Sequence, residues 1–159
     1  MTASDPPPET RSKTAKAVVF NRSYAKTTHD HFYTTDTSEY HNSFLNLSYV
    51  AEGAACKIFS DTGEGLVPLF RLYSSGYSDH FYTMSSGEVT SAIANNRMIF
   101  EGIAGYVYPT SKPGAIPLFR LWNGVISDHF YTTSEEERLK AINSLGYNDE
   151  GVAAYVLPA

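Results

Sequence analysis

The sequence predicts an α+β domain built from three tandem strand-strand-helix-strand repeats of 49 residues in a pseudo-threefold arrangement. Three observations lead there. The pentapeptide Asp-His-Phe-Tyr-Thr is written three times, starting at Asp30, Asp79 and Asp128, 49 residues apart each time. The same spacing relates Arg22, Arg71 and Arg120, the aromatics Tyr24, Tyr73 and Trp122, and the pairs Glu52-Gly53, Glu101-Gly102 and Glu150-Gly151. No gap is needed to align them, so the repeats have tolerated substitution but not a change of length. A fixed period of this size marks a repeat architecture. A single repeat is too small to bury a stable core alone, whereas the whole chain is long enough to do so. One domain over 16–159 is expected, with repeats at 16–64, 65–113 and 114–159, after a Pro-rich disordered tail at 1–15.

Each repeat opens with a strand, Pro68 to Tyr73 in the second copy and Pro117 to Trp122 in the third. A short polar loop (25–29, 74–78, 123–127) turns it into a hairpin with the pentapeptide, whose Phe-Tyr-Thr core favours extended backbone. A helix follows. Asp36, Ser85 and Ser134 each stand three residues before Glu39, Glu88 and Glu137, the spacing of a capping box. Gly146 is placed to end the third helix. Leu139, Ile142 and Leu145 form its apolar stripe, and Phe44 and Ile93, at the position of Ile142, are expected to point into the core. A final strand follows Glu-Gly, whose glycine suits a bulge. Its small pairs Ala55-Cys56, Ala104-Gly105 and Ala153-Ala154 suggest close backbone approach between repeats.

Side chains alternate across a strand. His31 and Tyr33 therefore share one face, with His80 and Tyr82, and His129 and Tyr131, in the same places. Asp30, Asp79 and Asp128 point the other way, so Asp79 cannot orient His80 as a catalytic triad would. Arg71 and Tyr73 share a face of the first strand. The functional reading is a polar-aromatic patch made three times, from Arg22, Tyr24, Asp30, His31 and Tyr33, from Arg71, Tyr73, Asp79, His80 and Tyr82, and from Arg120, Trp122, Asp128, His129 and Tyr131. Carboxylates and guanidinium groups bond sugar hydroxyls strongly, and an aromatic ring packs against the C–H face of a pyranose. A structural reading stands beside it: an Arg71–Asp79 ion pair across the hairpin, a satisfied histidine and a core tyrosine. The Glu-Gly pair reads as structural.

Other chemistry finds less support. His29 and His31 have one-face spacing for a metal, but Ser78 and Ser127 replace the first histidine in the other copies. No metal and no cofactor are expected. Cys56, replaced by Gly105 and Ala154, is not a repeated nucleophile, and no enzyme is expected. The net charge is −5 and no basic block is present, which argues against nucleic acid and anionic membrane. The N-terminal segment has no signal-peptide core and no run is long enough to span a membrane, so the expectation is cytoplasmic, with non-classical release left open.

Pro117-Leu118-Phe119-Arg120-Leu121, Ser127 to Thr133 and Glu150-Gly151-Val152-Ala153 resemble a tandem repeat family shared by fungal and bacterial proteins. The resemblance spans roughly residues 17–159 and extends to the α-galactosyl-binding mushroom lectins of the Lyophyllum decastes lectin type. It implies a multivalent, non-enzymatic, galactose-binding lectin whose partners are glycans or glycoconjugates. The first repeat departs most, with Asn21, Ser23 and Lys57 in place of Phe70, Leu72 and Tyr106. Alternatives stay open: a protein-interaction or cell-wall-associating module without free-sugar affinity, a glycan hydrolase, and pairing of chains as a homodimer.

Overall fold

The computed structural model describes residues 15–159. The tail expected at 1–15 therefore lies, except for its last residue, outside the described residues. Among these, nine strands and three helices alternate along the chain. The first copy contributes β1 (Ala17–Ala25), β2 (Asp30–Thr34), α1 (Thr37–Asn46) and β3 (Val50–Phe59). The second contributes β4 (Val67–Ser74), β5 (Asp79–Thr83), α2 (Ser86–Asn96) and β6 (Ile99–Val107). The third contributes β7 (Ile116–Asn123), β8 (Asp128–Thr132), α3 (Glu135–Ser144) and β9 (Asn148–Val156). The protein is an α+β mixture dominated by antiparallel strand.

In each copy the first strand is central, between the pentapeptide strand and the last strand. The first two copies join as one sheet, β2-β1-β3-β6-β4-β5, and the third stands as β8-β7-β9. The joins are narrow. β3 meets β6 at Phe59 and Tyr106, and single pairings of Lys57 with Leu157 and Tyr108 with Tyr155 bring in the third copy. The hairpin turns close through His29, Ser78 and Ser127, all at positive φ (64°, 52° and 54°). The Glu-Gly glycines sit where the register of the outer strand slips, at φ 83°, 106° and 86° for Gly53, Gly102 and Gly151. That backbone is open to glycine and strained for other residues, as the bulge reading requires.

The helix caps form, but the reciprocal box does not. Asp36, Ser85 and Ser134 accept from the backbone N–H of Glu39, Glu88 and Glu137. The glutamates do not reach back to the cap. Each accepts from a threonine hydroxyl, Thr34, Thr83 or Thr132, and that hydroxyl oxygen accepts from the cap N–H instead. The threonine relay leaves each glutamate with capacity for a second partner.

The helices also bury a different face from the one expected. Ser43, Ala92 and Ala141 are buried, whereas Ile93, Leu139 and Leu145 are exposed and Phe44 and Ile142 only half-buried. A small side chain lets the helix sit close on its hairpin, and the larger residues beside it stay at the margin. The main core is shared by all three copies. Phe20, Leu69 and Leu118 meet Tyr33, Tyr82 and Tyr131, with Cys56, Ile58, Val107 and Val156 around them. Gly105 faces Ile58 so closely that a side chain there would collide, in keeping with the small-residue pattern of the last strands.

Candidate ligand-binding clefts

β2, β5 and β8 are outermost in their sheets, and an edge strand exposes unpaired backbone groups. Here those groups are taken by side chains of another copy. The Tyr82 hydroxyl accepts from Tyr33 N–H (2.8 Å) and donates to Tyr33 C=O (2.6 Å). Tyr131 does the same for Tyr82, and Tyr33 for Tyr131. The three rings pack edge to face, with centroids 5.4–5.5 Å apart. Burial pushes all three phenols well above their ordinary pKa, so they remain donors.

The aspartates form a second cycle. Asp30 accepts from the backbone N–H of His80 (2.9 Å) and lies 2.5 Å from its Nδ1. Asp79 holds His129, and Asp128 holds His31, in the same way. Each histidine Nε2 in turn faces the Glu-Gly glutamate of its own copy, at 3.5–3.7 Å. Between its two carboxylates, the His80 ring is held as imidazolium. Burial by itself would lower the His80 pKa, but the hydrogen bonds to Asp30 and Glu101 outweigh it and hold it at about 9. Burial raises the Asp79 carboxyl above its ordinary value, against the lowering effect of its bond to His129.

The arginines close a third cycle. Arg71 makes paired bonds to Glu39 (2.8 Å each) and a further bond to Glu101 (3.0 Å). Arg120 treats Glu88 and Glu150 likewise, and Arg22 treats Glu137 and Glu52. Each guanidinium also lies over a phenylalanine of the neighbouring pentapeptide, 5.2–5.3 Å from the ring centre. Burial would raise the capping glutamates, yet their arginine and threonine partners keep Glu39, Glu88 and Glu137 below the usual range.

These contacts correct the expected patch. Tyr33, Tyr82 and Tyr131 are 0–1% exposed, with their hydroxyls committed to backbone, so they offer no surface to a ligand. Asp30, Asp79 and Asp128 are all buried, at 0–1% exposed, and the hydroxyls of Tyr49 and Tyr147 also reach the first and the last, at 2.5 and 2.6 Å. Arg71 pairs with glutamates, not with Asp79. The patch also does not lie within a repeat. Arg, His and the aromatic of one copy meet Asp, Phe and the capping glutamate of another.

What remains accessible is a cleft at each junction. Between the first and second copies, Tyr73, His80 and Glu101 face Phe32, Glu39 and Tyr49 around about 300 Å³. Between the third and first, His31 and Glu52 face Phe130, Glu137 and Tyr147 around about 230 Å³. Between the second and third, Trp122, His129 and Glu150 face Ser74, Asp79 and Met98 around about 500 Å³. Tyr24 does not line its cleft; its hydroxyl lies 3.1 Å from His29 Nδ1. The Glu-Gly glutamates, read from sequence as structural, are in fact partly exposed carboxylates of the clefts, where the capping glutamates Glu39 and Glu137 are more exposed still. The residues at 49, 98 and 147 also went unnoticed, although two aromatics in three at the same period were a usable signal.

Cys56 is fully buried and its thiol is pushed up to about 12 by burial, so it carries no thiolate near neutral pH. One oxygen from each of Asp30, Asp79 and Asp128 lies within 4.8 Å of the others, a donor set of the kind hard cations use. Both oxygens of each are already engaged by a histidine. Because the folded His80 pKa is raised, its stabilising contribution should be complete below about pH 6.5 and lost as pH rises through about 9. Thermal melts of the wild type and His80→Gln should differ most near pH 6 and converge by about pH 10; a gap that widens with pH would refute the ion-pair assignment.

No curated protein and no solved structure matches the chain. The family model described as a domain of unknown function (DUF5648) matches residues 19–157, a span holding all three pentapeptides and all three clefts, and the chain belongs to that family.

Proposed function

We propose that the chain is a non-enzymatic lectin whose three repeats close around a pseudo-threefold axis and bind neutral sugars in the clefts between them. The observation that carries this reading is the make-up of the clefts. Each sets a histidine held between two carboxylates and an accessible glutamate beside an aromatic wall. Sugars need fixed acceptors and donors for their hydroxyls and an apolar surface for their C–H face. The cyclic order of the tyrosine, Asp–His and Arg–Glu contacts supports the threefold closure. The resemblance of Pro117–Leu121 and Ser127–Thr133 to α-galactosyl-binding lectins supports galactose as the sugar class. His80, held as imidazolium by Asp30 and Glu101, is a poor base, which favours binding over hydrolysis at its cleft.

A shallow sugar site binds with Kd near ~1 mM. Repetition presents three such clefts on one chain, and wherever more than one is engaged avidity rises by roughly 10²–10⁴. Such a protein would act from the cytoplasm or after non-classical release. Among the described residues no helix is long and apolar enough to cross a membrane. A glycan array followed by titration with free galactosides tests the reading. Binding to terminal galactosyl glycans that free galactoside displaces is the expected result; folded protein that retains no saccharide at all would end it.

A second reading, protein interaction or homodimer formation, is favoured by Ile99, Phe100 and Ile103, all exposed on β6. Under that reading, light scattering would show a dimer, or a captured protein would stay bound in excess sugar.

A further inference from the structure

The three clefts are built from equivalent positions, yet they are not equally open. In two of them a tyrosine hydroxyl closes over the aspartate: Tyr49 on Asp30 and Tyr147 on Asp128. The third has Met98 at that position, and a thioether cannot donate a hydrogen bond. Asp79 therefore keeps its two histidine contacts but lacks the phenol, and, although only 1% exposed, it is the one pentapeptide aspartate that lines its cleft, at the floor. That cleft is also larger, about 500 Å³ against about 300 and 230 Å³.

Its walls differ in the same direction. Trp122 replaces the tyrosine of the other copies. Gly124 stands where Lys26 and Ser75 stand elsewhere, and a Cβ there would lie 3.3 Å from the indole Nε1. The missing side chain leaves the indole N–H edge free. Tyr77, 68% exposed on the facing hairpin loop, forms the rim. A further depression of about 640 Å³ shares Ser74, Tyr77 and Asn96 with the cleft, so there is room beyond one sugar ring.

We propose that the cleft between the second and third repeats is the primary saccharide site, and that the other two are plugged by Tyr49 and Tyr147. The ligand is a neutral hexopyranoside carried on a longer glycan. One of its hydroxyls takes the place of the tyrosine hydroxyl and donates to Asp79, while Trp122 and Glu150 supply an aromatic edge and a second acceptor. The plugging tyrosines are thus a built-in copy of the contact the ligand makes. This assignment rests on the lectin reading.

Trp122 is the only tryptophan, so its emission reports this cleft alone. Methyl α-galactopyranoside and a series of other methyl hexopyranosides are titrated by calorimetry and by fluorescence. One site per chain is expected, with the emission change sharing its midpoint. Met98→Tyr, which plugs the cleft, and Gly124→Val, a change on an exposed loop, should each weaken binding at least tenfold. Tyr49→Met should create a second site. Binding by three equal sites, or binding that leaves Trp122 emission unchanged and is indifferent to both Met98→Tyr and Gly124→Val, would overturn the assignment and leave the lectin reading standing. Absence of binding to any saccharide by folded wild type would overturn both.

Discussion

Replacing Tyr82 by Phe should destabilise the protein by about 2–5 kcal/mol, because the one hydroxyl serves two buried backbone groups. Tyr33 N–H and Tyr33 C=O both lose their partner, and neither has water to turn to beside a fully buried ring. The ring itself is kept, so packing changes little and the loss reports the hydrogen bonds. For a domain of this size the melting temperature should fall by roughly 5–15 °C. Tyr33→Phe and Tyr131→Phe should behave alike, since each hydroxyl performs the same double duty on the next copy. Urea unfolding measures it directly. A loss below about 1 kcal/mol would mean that the edge strands find other partners and that the tyrosine cycle does not hold the copies together.

Asp30→Ala should cost about 3–5 kcal/mol, since it strips a buried charge from its partners. His80 loses the acceptor for its backbone N–H and its ring, and Tyr49 loses the acceptor for its hydroxyl. Asp128→Ala removes the corresponding contacts from His31 and Tyr147. Asp79→Ala removes only the two histidine contacts, so its cost should be smaller by about 1 kcal/mol, the worth of one hydrogen bond. Chemical denaturation of the three variants gives the order. If Asp79→Ala proves the most damaging, the carboxylate without a phenol partner is a structural group and the unequal-cleft argument fails with it.

Much of the fold was legible. Period, hairpin, helix caps and Glu-Gly bulge all follow from neighbours a few residues apart, where sterics and local hydrogen bonds decide the outcome. The helix face was misread because the long residues Leu139, Ile142 and Leu145 outweigh Ala141 in any hydrophobic pattern. Close approach to the hairpin favoured the small side chain instead. The strand rule was applied correctly to Asp79 and His80, which do point apart. It could not show that His80 would find Asp30, 50 residues earlier. The candidate site was legible in its residue types and wrong in its grouping. Tyr33, Tyr82 and Tyr131 looked like a polar-aromatic surface on a lone sheet; the packing of the three copies turns that surface into the core.

The chain by itself determines three successive strand-strand-helix-strand segments and the chemistry each carries. Tertiary structure decides which copy each polar group serves. The physical reason is the repeat. Every position recurs at the same interval, so a pattern cannot distinguish a partner in the same copy from its equivalent 49 residues away. Only packing in space resolves the choice. It pairs Arg71 with Glu39 and Arg22 with Glu137, across 32 and 115 residues, and it leaves Asp79 alone of the three aspartates facing an open cleft.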